Sequence, residues 1–87
     1  MSKAPLNDLA GFATIARTRS FTGAAAELGV SPSALSHAMR VLEERLGVRL
    51  LARSTRSVAP TEAGAALLER LNPALAEIDE GLVHLSG

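Results

Sequence analysis

The sequence contains no cysteine, tryptophan or tyrosine, and its only aromatic residues are Phe12 and Phe21. Without cysteine, the chain can form neither disulfide bonds nor thiolate metal sites. The two histidines, His37 and His84, are far apart and form no metal-ligand pattern, so we expect no metal ion and no cofactor. The few aromatics, beside abundant alanine and leucine, favour helices over sheet.

Long apolar runs and catalytic constellations are absent too. No segment approaches membrane-spanning length, and the amino-terminal Met-Ser-Lys-Ala-Pro lacks the apolar core of a signal peptide. A cytoplasmic protein without membrane contact follows by default. Because no nucleophile–base pair, metal cluster or phosphate-binding glycine loop is visible, we expect no catalytic residues and no enzymatic activity.

The chain has 87 residues, enough for one small domain with a modest core, and its formal net charge of zero conceals a division. Residues 1–60 carry eight basic and four acidic side chains, a net charge of +4. Residues 61–87 carry one basic and five acidic side chains, a net charge of −4. The first part could face a polyanion, and the second should be held away from one. Ordinary solvated charge is the alternative, because +4 is modest for a DNA-binding domain.

Two helices are predicted before residue 30. Apolar residues that recur at spacings of three and four predict a first helix over about 6–18. A short second helix is predicted over about 23–28, with Thr22 as its N-cap and Gly29 at its end.

The third predicted helix, over about 32–46, has Ser31 as its N-cap, Pro32 at its first position and Gly47 at its end. Its apolar stripe consists of Leu35, Met39, Leu42 and Leu46. On the other side lie Ser33, His37, Arg40 and Glu44, with Ser36 at the edge of the stripe. Such a small, polar and partly basic face is typical of the DNA-reading helix of a helix-turn-helix, because its backbone must approach the bases closely.

Residues 48–59 predict a short β-hairpin, or wing, with Arg53 and Arg56 near its tip and Pro60 closing it. Thr61 is predicted to cap a fourth helix whose apolar residues follow a heptad seam. The seam consists of Leu68, Leu71, Leu75, Ile78, Leu82 and Leu85. We expect its first turns to pack on the domain's own core and its later turns to pair with another chain; packing entirely within the domain is the alternative. Pro73 is expected to kink this helix.

Four motifs stand in a fixed order: Ser-Phe-Thr at 20–22, Val-Ser-x-Ser-Ala-Leu-Ser at 30–36, Leu-Glu-x-x-Leu-Gly-Val-x-Leu-Leu-x-Arg at 42–53, and Pro-Thr-Glu-Ala-Gly at 60–64. In this order and spacing, the chain resembles the amino-terminal DNA-binding domain of LysR-type transcriptional regulators over nearly its whole length. The resemblance implies a mainly α fold: a winged helix-turn-helix over 1–60 and a dimerisation helix over 61–87. It implies a homodimer that binds an interrupted palindrome in double-stranded DNA.

The resemblance also implies roles for individual residues, with the third helix in the major groove and the wing on the backbone or in the minor groove. The candidate DNA contacts are Ser20, Thr22, Ser31, Pro32, Ser33, Ser36, His37, Arg40, Arg53 and Arg56. The candidate dimerisation residues are Leu71, Leu75, Ile78, Leu82 and Leu85. For the wing arginines the alternative is a solvated charge, and for Arg40 it is an ion pair with Glu43 or Glu44.

The chain departs from the pattern of the family at several positions. Pro32 stands where glutamine is common and cannot donate a hydrogen bond, His37 stands where arginine is common, and Gly23 stands where a basic residue is common. Members of the family continue into a domain that binds a small-molecule effector, so we expect no effector site in this chain. The alternative function is a winged-helix module for protein interaction that uses the heptad helix as its main contact.

Overall fold

Four helices and one antiparallel hairpin make up residues 5–86, which are the residues that the computed structural model describes. The elements are α1 (Leu6–Thr18), α2 (Phe21–Leu28), α3 (Pro32–Leu46), β1 (Leu51–Arg53), β2 (Val58–Pro60) and α4 (Glu62–Ser86). The predicted mainly α winged helix-turn-helix is confirmed. Its division into a unit of 1–60 and a helix of 61–87 stays a prediction.

Helices α1, α2 and α3 each end at a residue in the left-handed backbone conformation. These residues are Arg19, Gly29 and Gly47, with φ angles of 56°, 73° and 71°. Each donates its backbone N–H to a carbonyl of the last helical turn, at Ile15, Ala25 and Glu43 respectively. The chain therefore reverses direction within a few residues, which brings α1, α2 and α3 together.

The prediction that Thr22 caps α2 is wrong. Ser20 is the N-cap, because its Oγ accepts a hydrogen bond from the backbone N–H of Gly23 at 2.9 Å. The helix begins at Phe21, two residues earlier than predicted, and Thr22 is an exposed residue of its first turn. Both hydroxyl residues satisfy the capping rule, but the earlier start packs the half-buried Phe21 against the core.

The third helix follows its prediction closely. Ser31 Oγ accepts the N–H of Ala34 at 3.1 Å, Pro32 is the first helical residue, and Gly47 is the C-cap. Leu35, Met39 and Leu42 are buried and Leu46 is half-buried, so the predicted stripe faces the core. The opposite face is exposed.

The wing is shorter than the predicted hairpin of 48–59. Strands β1 and β2 pair antiparallel, with Leu51 opposite Pro60 and Arg53 opposite Val58. Pro60 is thus part of the second strand. Val48 instead takes part in the capping of α3, since its N–H donates to the carbonyl of Glu43 at 3.2 Å.

Helix α4 begins in the domain and ends outside its core. Thr61 caps it as predicted, because Thr61 Oγ1 accepts the N–H of Gly64 at 3.0 Å. Gly64 lies so close to the Leu50 carbonyl that a Cβ there would collide with it. Leu71 is buried and Leu68 and Leu75 pack partly on the core, whereas Ile78, Leu82 and Leu85 are 42%, 57% and 85% exposed. The helix runs unbroken through Pro73.

Candidate nucleic-acid interface

A cleft of about 450 Å³ opens between the start of α2, the exposed face of α3 and the wing. Its basic lining consists of Arg19, Arg40, Arg53 and Arg56, and its hydroxyl lining consists of Ser20, Thr22, Ser36, Ser54, Thr55 and Ser57. Within the described part of the chain, no acidic side chain lines it. Cations and hydroxyl donors without carboxylates are complementary to a phosphodiester backbone.

The first turns of α3 adjoin this cleft and carry no packed neighbour on their outer side. Pro32, Ser33, His37 and Arg40 are all exposed there. Among residues 5–86, no ion pair joins Arg40 to Glu43 or Glu44, so that alternative for Arg40 is not observed. A helix that is free along one side and lined by small residues there fits the width of a major groove.

Arg53 does not extend from the wing as a solvated charge. Its side chain is 21% exposed, it donates to Ser36 Oγ at 3.1 Å, and its guanidinium carbon lies 4.9 Å from the centroid of the Phe21 ring. It also pairs with the Glu43 carboxylate at 3.5 Å. Arg53 therefore ties the wing to both α2 and α3.

Burial lowers the pKa of Arg53 below its usual value. Glu43 acts in the opposite direction, and the neighbouring charges of Arg40 and Arg49 lower the pKa further. The guanidinium stays charged, since an arginine pKa lies far above neutrality. The Nε of Arg53 is buried and has no hydrogen-bond partner among the described residues.

Glu43 is the residue that supports this arrangement, although the sequence assigned it no part in the site. Only 8% of it is exposed, and its Oε2 accepts the backbone N–H groups of Leu50 and Leu51 at 2.8 and 3.1 Å. The same carboxylate pairs with Arg53 and, at 3.7 Å, with Arg49. It thereby fixes the base of the wing to α3. Its place beside Leu42, at the edge of the apolar stripe, was the signal available in the sequence.

The tip of the wing is a tight turn closed by local hydrogen bonds. Ser54 Oγ accepts the backbone N–H groups of Arg56 and Ser57 at 3.3 and 3.1 Å. Arg56 is exposed at this tip, as predicted. Its charge is therefore free to approach a ligand in the cleft.

The cleft brings together six of the ten predicted DNA contacts: Ser20, Thr22, Ser36, Arg40, Arg53 and Arg56. The other four, Ser31, Pro32, Ser33 and His37, lie at the exposed start of α3 outside it. Sequence reasoning missed Arg19, Ser54, Thr55 and Ser57. The signal for Arg19 was its position directly before Ser20, where two helices meet.

The predicted dimerisation residues lie at the other end of the molecule. Leu71 is buried inside this domain and leaves almost no surface for a second chain, and Leu75 is half-buried. Ile78, Leu82 and Leu85 remain largely exposed, together with Val83. No helix in residues 5–86 has the length and apolar character needed to cross a membrane.

The sequence model of a known family matches this chain over residues 6–65, from the start of α1 into the first turn of α4. That model describes the bacterial regulatory helix-turn-helix proteins of the lysR family. The chain belongs to the LysR family. The matched segment contains the whole cleft, so the family assignment and the site concern the same residues.

Known proteins are similar to this chain over nearly all of its length. The HTH-type transcriptional regulator PgrR of Escherichia coli is 52% identical over 86 residues, which is 99% of this chain and 29% of PgrR. The structure of Corynebacterium glutamicum OxyR, a C206S mutant with bound H2O2, superposes with a TM-score of 0.90 at 39% identity, over 100% of this chain and 28% of OxyR. The DNA-binding domain of BenM in complex with catB site 1 DNA superposes with a TM-score of 0.85 at 30% identity, over 95% of this chain and 92% of that chain.

The chain thus spans less than a third of the length of PgrR and OxyR. It corresponds to nearly the whole of the BenM DNA-binding domain in its complex.

Proposed function

We propose that this chain is the sequence-specific DNA-binding domain of a LysR-type transcriptional regulator and that it acts on duplex DNA in the bacterial cytoplasm. The observation that carries this proposal is the cleft, which among the described residues is lined by four arginines and no acidic residue, beside the unobstructed start of α3. The similarity to the BenM domain, whose structure includes DNA, supports it.

In this proposal α3 enters the major groove and the wing follows the backbone or the minor groove. Ser33, Ser36 and His37 would then face the base edges. Arg40 and Arg56, with Ser20 and Thr22, would contact phosphates on the flanking strand. Because phosphate contacts carry no sequence information, specificity would reside in α3 and most of the affinity in the arginines.

Ser36 has a defined hydrogen-bonding role in this arrangement. Its Oγ already accepts a hydrogen bond from Arg53, so the hydroxyl hydrogen remains for a DNA acceptor. Guanine O6 and N7, adenine N7 and thymine O4 are the acceptors that the major groove presents. We therefore propose that Arg53 contributes to readout by orienting Ser36 as a donor, in addition to any phosphate contact of its own.

We further propose a homodimer that reads two half-sites. The exposed apolar residues of α4 beyond Leu75 would pair with those of a second copy, and burying each such side chain would contribute roughly 1.5–3 kcal/mol. A twofold axis through this helix pair would present two recognition helices to an interrupted palindrome. The acidic residues of α4 do not line the cleft, and in this proposal they would be held apart from the DNA.

Salt-dependent binding of a labelled duplex tests the proposal. Anisotropy titrations between low and moderate salt should give a slope of log affinity against log salt of about −4 to −7, as expected for roughly four to eight phosphate contacts per dimer. An affinity that does not change with salt would remove the DNA-binding proposal. Retention on a heparin column that is lost steeply with salt is the corresponding simple assay, and its absence would favour the protein-interaction alternative.

A further inference from the structure

We propose that Arg19 is a phosphate-contacting residue whose charge is delivered to the cleft by a strained turn. This inference rests on the proposed DNA binding and adds a residue to the interface. It starts from the backbone. Among the residues that the structure describes, Arg19 is the one non-glycine residue with a positive φ.

A comparison of the three turns that end α1, α2 and α3 shows that the left-handed conformation itself favours glycine. Gly29 and Gly47 end α2 and α3 in the same conformation as Arg19 at the end of α1. A Cβ at either glycine would meet nothing within 4 Å, so only the positive φ explains glycine there. The same φ at Arg19 is unfavourable for a residue with a Cβ.

Neither the backbone nor the rest of the domain requires an arginine at this turn. Residue 19 caps α1 through its backbone N–H, which donates to the Ile15 carbonyl at 2.7 Å. Any residue except proline would supply this N–H. Within residues 5–86, the exposed guanidinium takes part in no hydrogen bond or ion pair. By contrast Arg17, two residues earlier, pairs with Glu27.

Arg19 is one of the residues that line the cleft, next to Ser20 and Thr22. There it joins Arg40 and Arg56 around a space without acidic side chains. Glu43 partly offsets the charge of Arg53, but the charges of Arg19, Arg40 and Arg56 repel each other, and a polyanion relieves that repulsion. A phosphodiester strand passing between α2 and the wing would therefore meet Arg19 at the α2 side, opposite Arg56.

Three substitutions at position 19 separate charge from strain. Arg19→Gly removes both, Arg19→Asn removes the charge but keeps a residue that tolerates the left-handed conformation, and Arg19→Lys keeps the charge. Arg17→Gln is the matched control, since it removes a nearby exposed charge that lies outside the cleft. All five proteins, wild type included, would be titrated with one random-sequence 30-base-pair duplex at several salt concentrations and melted thermally.

We expect Arg19→Gly to melt a few degrees above wild type and yet to bind the duplex about threefold to tenfold more weakly at low salt. Its salt slope should be less steep by about one per domain, the loss of one phosphate contact. Arg19→Asn should lose the same affinity, whereas Arg19→Lys and Arg17→Gln should bind within about twofold of wild type.

Unchanged affinity and slope in Arg19→Gly and Arg19→Asn would overturn the inference, as would an equal loss in Arg17→Gln. A lower melting temperature for Arg19→Gly would show that the arginine has a structural role instead. Absence of salt-dependent binding by the wild type would contradict the proposed function itself. The wild type thus tests the proposed function, and the position-19 variants test the role of Arg19.

Discussion

The cleft and the end of α4 are both exposed in the single chain, but the cleft is basic and the end of α4 is apolar. In the part of the chain that the structure describes, four arginines and no acidic side chain line the cleft, whereas the end of α4 exposes Ile78, Leu82 and Leu85. Arg53 is paired with Glu43, but Arg19, Arg40 and Arg56 have no ion-pair partner among residues 5–86, so the cleft is complementary to a polyanion. The exposed apolar surface of α4 is complementary to another apolar surface. The difference supports the proposal of two partners at two surfaces of one small fold: DNA at the cleft and a second copy of the chain at α4.

The two surfaces also differ in how they are supported. The cleft depends on a buried network in which Glu43 holds the backbone of Leu50 and Leu51 together with Arg53. Among the described residues, Leu75 is the last apolar residue of α4 that packs on the core, so the end of this helix contributes little to the packing of the domain. Substitutions in the network that supports the cleft should therefore destabilise the fold as well as alter the cleft. Substitutions at the α4 surface should alter that surface and leave the fold intact.

The largest effect is expected for Glu43→Ala. It leaves two backbone N–H groups and the half-buried Arg53 without their acceptor, and removing one partner of a buried ion pair costs about 3–5 kcal/mol. Chemical denaturation should show that loss in the free energy of unfolding, and duplex binding should fall with it. The exposed neighbour provides the control: Glu44→Ala should stay within about 0.5 kcal/mol of wild type. Equal stability of both variants would contradict the supporting role of Glu43.

The next effect is expected at the α4 surface. Ile78→Lys combined with Leu82→Lys should convert the dimer into monomers in sedimentation experiments, because each charge would have to enter the apolar contact. The thermal unfolding of the domain should change little, and DNA affinity should fall towards that of a single half-site. Ala76→Lys, on a different side of the same helix, is the matched control and should leave the dimer intact. A wild-type chain that stays monomeric at high micromolar concentration, yet protects two half-sites, would show that DNA holds the dimer together.

A smaller effect, and one of a different kind, is expected for Ser36→Ala. Loss of the hydroxyl donor should reduce discrimination at one base position by about 1–3 kcal/mol while random duplexes bind nearly as before. Selection of binding sequences from a randomised pool would measure this. His37→Ala should likewise alter preference at a neighbouring position. Retention of the full wild-type preference by both variants would place the readout elsewhere.

The smallest effect is expected for Arg56→Ala at the wing tip. It should weaken specific and random duplexes by a similar factor and reduce the salt slope by about one per domain, because a phosphate contact positions the protein without reading sequence. Arg53→Ala should have a larger effect, since it also removes the contacts to Ser36 and Glu43. A change of sequence preference with Arg56→Ala alone would show that the wing reads bases.

Much of the fold follows from rules that act over a few residues. Ser31, Pro32 and Gly47 mark the ends of α3, and their capping and φ preferences are local properties of the chain. The start of α2 was missed because Ser20 and Thr22 can both act as caps; in the structure Ser20 caps the helix and Phe21 packs against the core.

Residues of the candidate site could be predicted from the sequence only where helical periodicity alone determines their exposure. The exposure of Pro32, Ser33 and His37 follows from helical periodicity. The inward placement of Arg53 and Glu43 does not, because it arises from an ion pair across ten residues that forms only when the wing folds back on α3. The position of Arg19 in the cleft depends likewise on the left-handed turn between two helices.

Backbone amide NMR of the labelled chain, recorded during titration with a duplex and separately against protein concentration, would test the two-partner assignment most directly. Added DNA should shift the amides of 19–22, 33–40 and 54–57, which surround the cleft and the free face of α3. Dilution without DNA should instead shift those of 76–86 at the end of α4. Shifts on DNA addition that are confined to the end of α4, with the cleft unaffected, would contradict the assignment of DNA and dimer to these two surfaces.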